Sequence, residues 1–181
     1  MKNNSLFYLS IILLSAISFT TYAQTPANPI IKDYGTINSI DNVTMPDPSL
    51  EYKIVIDLKS SNDNYDKVNK GLVNVARALN LHGVAGIPQE QLHVSVAIHY
   101  TATPIVLNNA GYRKKYNIDN PNLELIKQLK NAGVEIFICG QSLVARKYAF
   151  EDVNPDVAVA LSMLTVVTEK MAKGYSLLVF Q

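Results

Sequence analysis

The chain has 181 residues, enough for one domain with a sizeable core. Hydrophobic residues make up 48% and charged residues 17%, which excludes disorder for the bulk of it. The formal net charge is +1, so it shows neither the basic footprint of a nucleic-acid binder nor an acidic tail.

Residues 1–23 read as a secretory signal peptide. Lys2 gives a short positive start, 6–19 (LFYLSIILLSAISF) is an uncharged apolar run, and Thr21 and Ala23 are small residues at the positions a signal peptidase reads. The run is short for a membrane span, and no cysteine lies near the cleavage position to anchor a lipid. The expected product is a charge-neutral protein in a bacterial periplasm or outside the cell, with no membrane span after cleavage. Disulfides persist there. The chain has one cysteine, Cys139, so an intramolecular disulfide is excluded. A leftover thiol in such a protein is an intermolecular partner, an inert buried group or a nucleophile.

Residues 24–50 carry four prolines, which excludes a regular helix and predicts an extended arm or a short hairpin. The domain then runs over 51–181. YKIVIDL (52–58) is short, apolar and β-branched, and predicts a strand. In 61–80, Val68, Leu72, Val75 and Leu79 recur at helical spacing, with Asn62 or Asp63 as cap. QLHVSVAIHY (91–100) predicts a second strand, with His93, Ser95, Ala97 and His99 on one face; the small residues between the histidines predict a helix packed closely there. YRKKY (112–116) reads as a solvated basic loop. NPNLELIKQLKNAG (120–133) predicts a helix with Asn120 as cap, Pro121 in its first position and Gly133 at its close. VEIFIC (134–139) predicts a third strand, and GQSLVARKY (140–148) can begin a helix. The window 154–174 holds a last helix, with Leu164, Val167 and Met171 on one face and Gly174 after its end, and a short strand at 157–160 precedes it. YSLLVF (175–180) predicts the final strand.

Strands alternating with helices through short junctions imply parallel pairing. The expected fold is a three-layer α/β/α domain with a mostly parallel sheet of about five strands. Ligands bind such sheets at the carboxyl ends of the strands. That rule selects Asp57 and Lys59, His99 and Tyr100, and Cys139 to Ser142.

Cys139 closes a strand at a helix start, where unpaired N–H groups favour the thiolate. Gly140 lets the backbone come close, Gln141 and Ser142 bring neutral donors, and Arg146 brings positive potential. An inert packing role stays open, because free cysteines are among the most buried residue types. His99 ends the preceding strand, and a histidine beside a thiol is an activating pair; a partly exposed histidine without a role is the alternative. His93 reads as structural. Three histidines and one cysteine show no metal-ligand spacing, and there is no phosphate-binding glycine motif and no G-x-S-x-G elbow, so no cofactor or metal is expected.

NVARALNLHG (74–83), LHVSVAIH (92–99) and above all NPNLELIKQLKNAGVEIFICGQSLVAR (120–146) resemble the DsrE/DsrF-like family of sulfur-relay proteins, nearest its secreted, single-domain branch. The closing stretch 157–180 is similar to that family as well. The resemblance implies an α/β/α fold with strands two and three side by side, bringing His99 towards Cys139. It implies homo-oligomers, and a persulfide on Cys139 exchanged with a sulfur donor or acceptor, protein or small molecule. His99 would then help move protons, beside donors from Gly140 and Gln141. The branch often has HG after the second strand where this chain has HY, so Tyr100 would narrow the site or add a hydroxyl. Two other readings fit the same fold: a non-catalytic oligomeric binding module, and a thiol redox sensor acting through an intersubunit disulfide.

Overall fold

The computed structural model describes residues 25–62 and 64–180; the segment read as a signal peptide, and Asp63, lie outside them. The chain opens with a hairpin, β1 (Thr25–Ala27) antiparallel to β2 (Ile37–Ser39). The domain follows as β3 (Tyr52–Leu58), α1 (Lys70–Val84), β4 (Leu92–Ile98), α2 (Asn109–Tyr116), α3 (Leu123–Asn131), β5 (Glu135–Cys139), α4 (Gly140–Ala145), β6 (Ala158–Ala160), α5 (Met163–Ala172) and β7 (Ser176–Phe180).

The strands form one parallel sheet in the order β6-β5-β4-β3-β7. Its central strands are apolar on both faces, as burial under helices on both sides requires. Ile54, Ile56, Leu58, Val94, Val96, Ile98, Ile136 and Ile138 point into the main core under α1 and α3, with Leu72, Val75, Leu79, Leu125, Ile126 and Leu129. Val55 and Ala97 point the other way and meet Val166 and Val167 of α5. The fold is therefore the expected α/β/α sandwich, with one helix as its third layer.

Several boundaries moved, for local reasons. α1 begins at Lys70, because Asn69 is the cap: its side chain accepts from the N–H groups of Gly71 (2.8 Å) and Leu72 (3.2 Å). Asn62 instead ties the preceding loop, accepting from Lys70 N–H and donating to the carbonyls of Lys67 and Val68. YRKKY is not a loop but the end of α2, which Asn108 caps at Gly111 N–H and a left-handed Asn117 terminates. Its cations are engaged: Arg113 with Asp119, Lys114 with Asp152, and Lys115 with the Tyr148 hydroxyl.

The last helix starts at Met163, after the short strand expected before it. The β-branched alternation before it forms β6, and Ser162 caps α5 by accepting from Leu164 N–H. The buried stripe is Val166, Val167 and Lys170, with Met163 packed beside it, whereas Leu164 is 68% exposed and Met171 also faces out. The packed face is the one that meets Val55 and Ala97 of the sheet, and it shares only Val167 with the face the spacing suggests. Lys170 is buried because its ammonium pairs with Glu135 and lies over the rings of Phe137 and Tyr175. No helix among the described residues is long and apolar enough to cross a membrane.

Candidate functional site

Cys139 is the last residue of β5, paired with Ala160 of β6, and occupies the cap position of α4. It is 4% exposed. Its sulfur lies 3.9 Å from Ser162 Oγ. Burial pushes the Cys139 thiol up. Hydrogen bonds from the Ser142 hydroxyl, the N–H groups of Met163 and Ser142, and the Ser162 hydroxyl outweigh it, so the thiol stands below its ordinary value.

Both serines are held in one way. Ser142 Oγ accepts from Tyr100 N–H at 3.2 Å, and Ser162 Oγ accepts from Leu164 N–H at 3.2 Å. Each hydroxyl oxygen takes one backbone donor and keeps a second lone pair: Ser162 Oγ accepts from the neutral thiol, and a serine hydroxyl can turn its own proton to the thiolate. The Tyr100 N–H is aimed by an unusual backbone: Tyr100 is left-handed, with φ 52°, and its carbonyl accepts from Thr103 Oγ1 at 2.7 Å.

Ser142→Ala tests this. Removing a hydrogen bond to a charged group is worth about 1.5–3 kcal/mol, which corresponds to a rise in the thiol pKa of about one unit or more. The sign follows from the lowered pKa: its stabilisation is present above the unfolded thiol value and lost as pH falls through the folded one. The expected result is an alkylation profile displaced to higher pH, with labelling at neutral pH slowed about tenfold. An unmoved profile would remove Ser142 from the site.

His99 follows β4. Its Nε2 sits 2.6 Å from Asp57 Oδ1, with both side chains 19% exposed. Among the described residues it makes no hydrogen bond to Cys139. The structure nevertheless sets the two next to each other: β4 and β5 are neighbours, and Ile98 pairs with Ile138, one residue short of each. Tyr100 contributes its backbone to the site, while its exposed ring lies under Arg146, whose guanidinium carbon is 5.1 Å from the ring centre. Arg146 thus braces Tyr100 and makes no hydrogen bond to the sulfur. Gln141 donates from Nε2 to the Leu161 carbonyl at 3.4 Å and holds the loop before α5. Gly140 is required for a close approach, but to protein: a Cβ there would stand 2.8 Å from the Ala160 carbonyl oxygen. The backbone donors at the sulfur are Ser142 and Met163, not Gly140 and Gln141.

Among the described residues no group of three or more His, Cys, Asp or Glu side chains could hold a metal. A cleft of about 720 Å³ opens at the opposite end of the sheet, between His93, Glu135, Lys170 and Tyr175. It is the largest of the described cavities, but its charges are mostly spent: His93 pairs with Glu51, Lys170 with Glu135, Lys173 with Glu169. It does not reach Cys139. Ser162 and Met163 escape sequence reasoning because they follow the short edge strand β6, whose carboxyl end no motif marks. The available signal was a serine between a β-branched strand and a helical run, on the strand beside the cysteine.

The family model described as "DsrE/DsrF-like family" matches residues 53–180. The chain belongs to the DsrE/DsrF-like family. Its fold also resembles a solved structure of a protein of unknown function, MTH1491 from Methanobacterium thermoautotrophicum, with 16% identity over 71% of this chain and 99% of that one and a TM-score of 0.52. The ychN protein from E. coli is likewise 16% identical over 71% of this chain and 99% of its own, with a TM-score of 0.46. No curated protein matches the chain. In DsrE/DsrF-like terms, β5, Cys139 and α4 fall inside the matched region, as do β3 and β4 with Asp57 and His99.

Proposed function

We propose that this DsrE/DsrF-like protein is an exported sulfur carrier with sulfurtransferase-like activity, bearing a persulfide on Cys139. The observation that carries the reading is the place of Cys139, a thiol at the end of β5 and the head of α4 with Ser162 Oγ 3.9 Å from its sulfur, in surroundings that lower the thiol despite its burial. A thiolate is the nucleophile for sulfane sulfur. It attacks the outer sulfur of a donor; the new S–S bond forms as the donor's own bond to that sulfur breaks, and the donor leaves with the electron pair as thiolate or, from thiosulfate, as sulfite. Donors that already face the sulfur stabilise the anionic persulfide without further rearrangement. No cofactor or metal is needed for this exchange.

Export to a periplasm or beyond rests on the 1–23 segment of the sequence. Association with further copies of the chain is supported by Leu164, Met171, Leu177 and Val179, large apolar side chains left exposed on and beside α5. The remaining partner is a sulfur donor or acceptor, protein or small molecule.

Reduced protein incubated with polysulfide or thiosulfate should gain the mass of one or more sulfur atoms, and Cys139→Ser should gain none. A wild-type mass unchanged by every donor would overturn the proposal. The 4% exposure of Cys139 favours a second reading, a non-catalytic oligomeric binding module in which the thiol only packs. That reading expects slow alkylation of the native protein at neutral pH, whereas a carrier expects fast labelling. The same burial weighs against an intersubunit disulfide sensor, whose sulfur must reach a second copy.

A further inference from the structure

Asp57, His99 and Cys139 lie at the carboxyl ends of three consecutive strands, β3, β4 and β5. The parallel register pairs Asp57 with Ala97 and Ala97 with Phe137. Side chains alternate along a strand, so Val55 and Asp57, Ala97 and His99, and Phe137 and Cys139 share one face. That is the α5 face, where Val55, Ala97 and Phe137 pack. The histidine therefore stands between the carboxylate and the thiol. Its Nε2 is taken by Asp57 at 2.6 Å, and Nδ1 has no partner among the described residues. An ionised carboxylate only accepts, so this contact fixes the imidazole proton on Nε2 and leaves the Nδ1 lone pair open.

We propose that Asp57 is a positioning residue for sulfur transfer: it sets the tautomer and orientation of His99 so that Nδ1 serves as the proton acceptor and donor beside Cys139. The inference rests on the sulfur-carrier reading. In loading from a persulfide, Nδ1 takes the Cys139 thiol proton. The thiolate attacks the outer sulfur, the donor S–S bond breaks, and the departing donor thiolate receives the proton back from Nδ1. Cys139 ends as a persulfide, the donor as a thiol, and His99 as it began. The arrangement follows the logic of carboxylate–imidazole–nucleophile triads, in which the acid holds the base and does not itself take the proton.

Two measurements test it. Long-range proton–nitrogen spectra of the native protein, which has three histidines, assigned with His99→Gln, should show His99 with its proton on Nε2. A proton on Nδ1 would overturn the proposal, whatever the activity. Loading by glutathione persulfide, followed by intact mass, should slow at least about tenfold in Asp57→Asn, within the range of acid–base contributions. Asp57→Glu should recover part of the rate. In a His99→Gln background, Asp57→Asn should change the rate less than about twofold, because its route is gone. A full effect in that background would mark Asp57 as merely structural. If the wild type takes up no sulfur, the carrier reading fails. If it loads and Asp57→Asn loads equally well, only the role of Asp57 fails.

Discussion

Asn80→Ala is expected to release the N-terminal hairpin while leaving the sheet folded. Asn80 is fully buried on α1 and holds the hairpin through both ends of its amide. Oδ1 accepts from Ile30 N–H (3.1 Å) and Ile31 N–H (2.8 Å); Nδ2 faces the carbonyls of Ile31 (3.0 Å), Tyr34 (3.0 Å) and Gly35 (3.2 Å). Alanine leaves these groups buried without partners, at about 1–3 kcal/mol for each one not rehydrated. The chain avoids that cost by undocking, which gives up the buried side chains of Ile31 and Ile37, about 1.5–3 kcal/mol each. The smaller cost wins over five unpartnered groups, so the loss is about 3–6 kcal/mol and local. Limited proteolysis should cut within residues 28–40, and the remaining domain should keep a cooperative thermal transition. A mutant whose hairpin resists protease as the native chain does would refute this account of how the hairpin is held.

Gly140→Ala is expected to cost stability and to dull the thiol together. The new Cβ would meet the Ala160 carbonyl oxygen at 2.8 Å, and that oxygen belongs to backbone paired with Cys139. The neighbouring strand must shift, at about 1–3 kcal/mol for overpacking of this kind. The strand carries Ser162 and Met163 behind it, two of the donors at the sulfur. Moving them weakens their hold on the thiolate, so the alkylation midpoint should rise as the melting temperature falls. A lower melting temperature with an unchanged alkylation profile would separate Ser162 and Met163 from the thiol's chemistry.

Much of this site could be read from the residues. The apolar runs at 52–58, 92–98 and 135–139 became three neighbouring parallel strands, and the rule of carboxyl-end sites picked Asp57, His99 and Cys139. The alternation of small residues in β4 foretold the helix now seen over Ala97. Other features depend on tertiary detail that no local pattern encodes. Spacing gave α5 an apolar face of Leu164, Val167 and Met171, but the crossing of the sheet chose Val166, Val167 and Lys170, and only the Glu135 partner makes the lysine tolerable there. The left-handed Tyr100 has no glycine or asparagine to announce it. Ser142 reads from the sequence as a neutral donor beside Cys139, but that its hydroxyl is held by the Tyr100 N–H depends on that backbone.

The strand order also bears on how the molecule assembles. β7, the last strand of the domain, completes the sheet beside β3, the first, with Leu58 opposite Phe180. The helix before it must travel from β6 at one edge, across three strands, to reach that place. Such a pairing closes a loop almost as long as the domain and gains nothing until both ends are present. The three central strands can pair earlier, through shorter crossovers. The thiol's neighbours belong to the shorter closure: Ala160 pairs with Cys139 across β5 and β6, and Ser162 stands only 23 residues along the chain from it, so the sulfur's surroundings do not wait on the β3–β7 pairing.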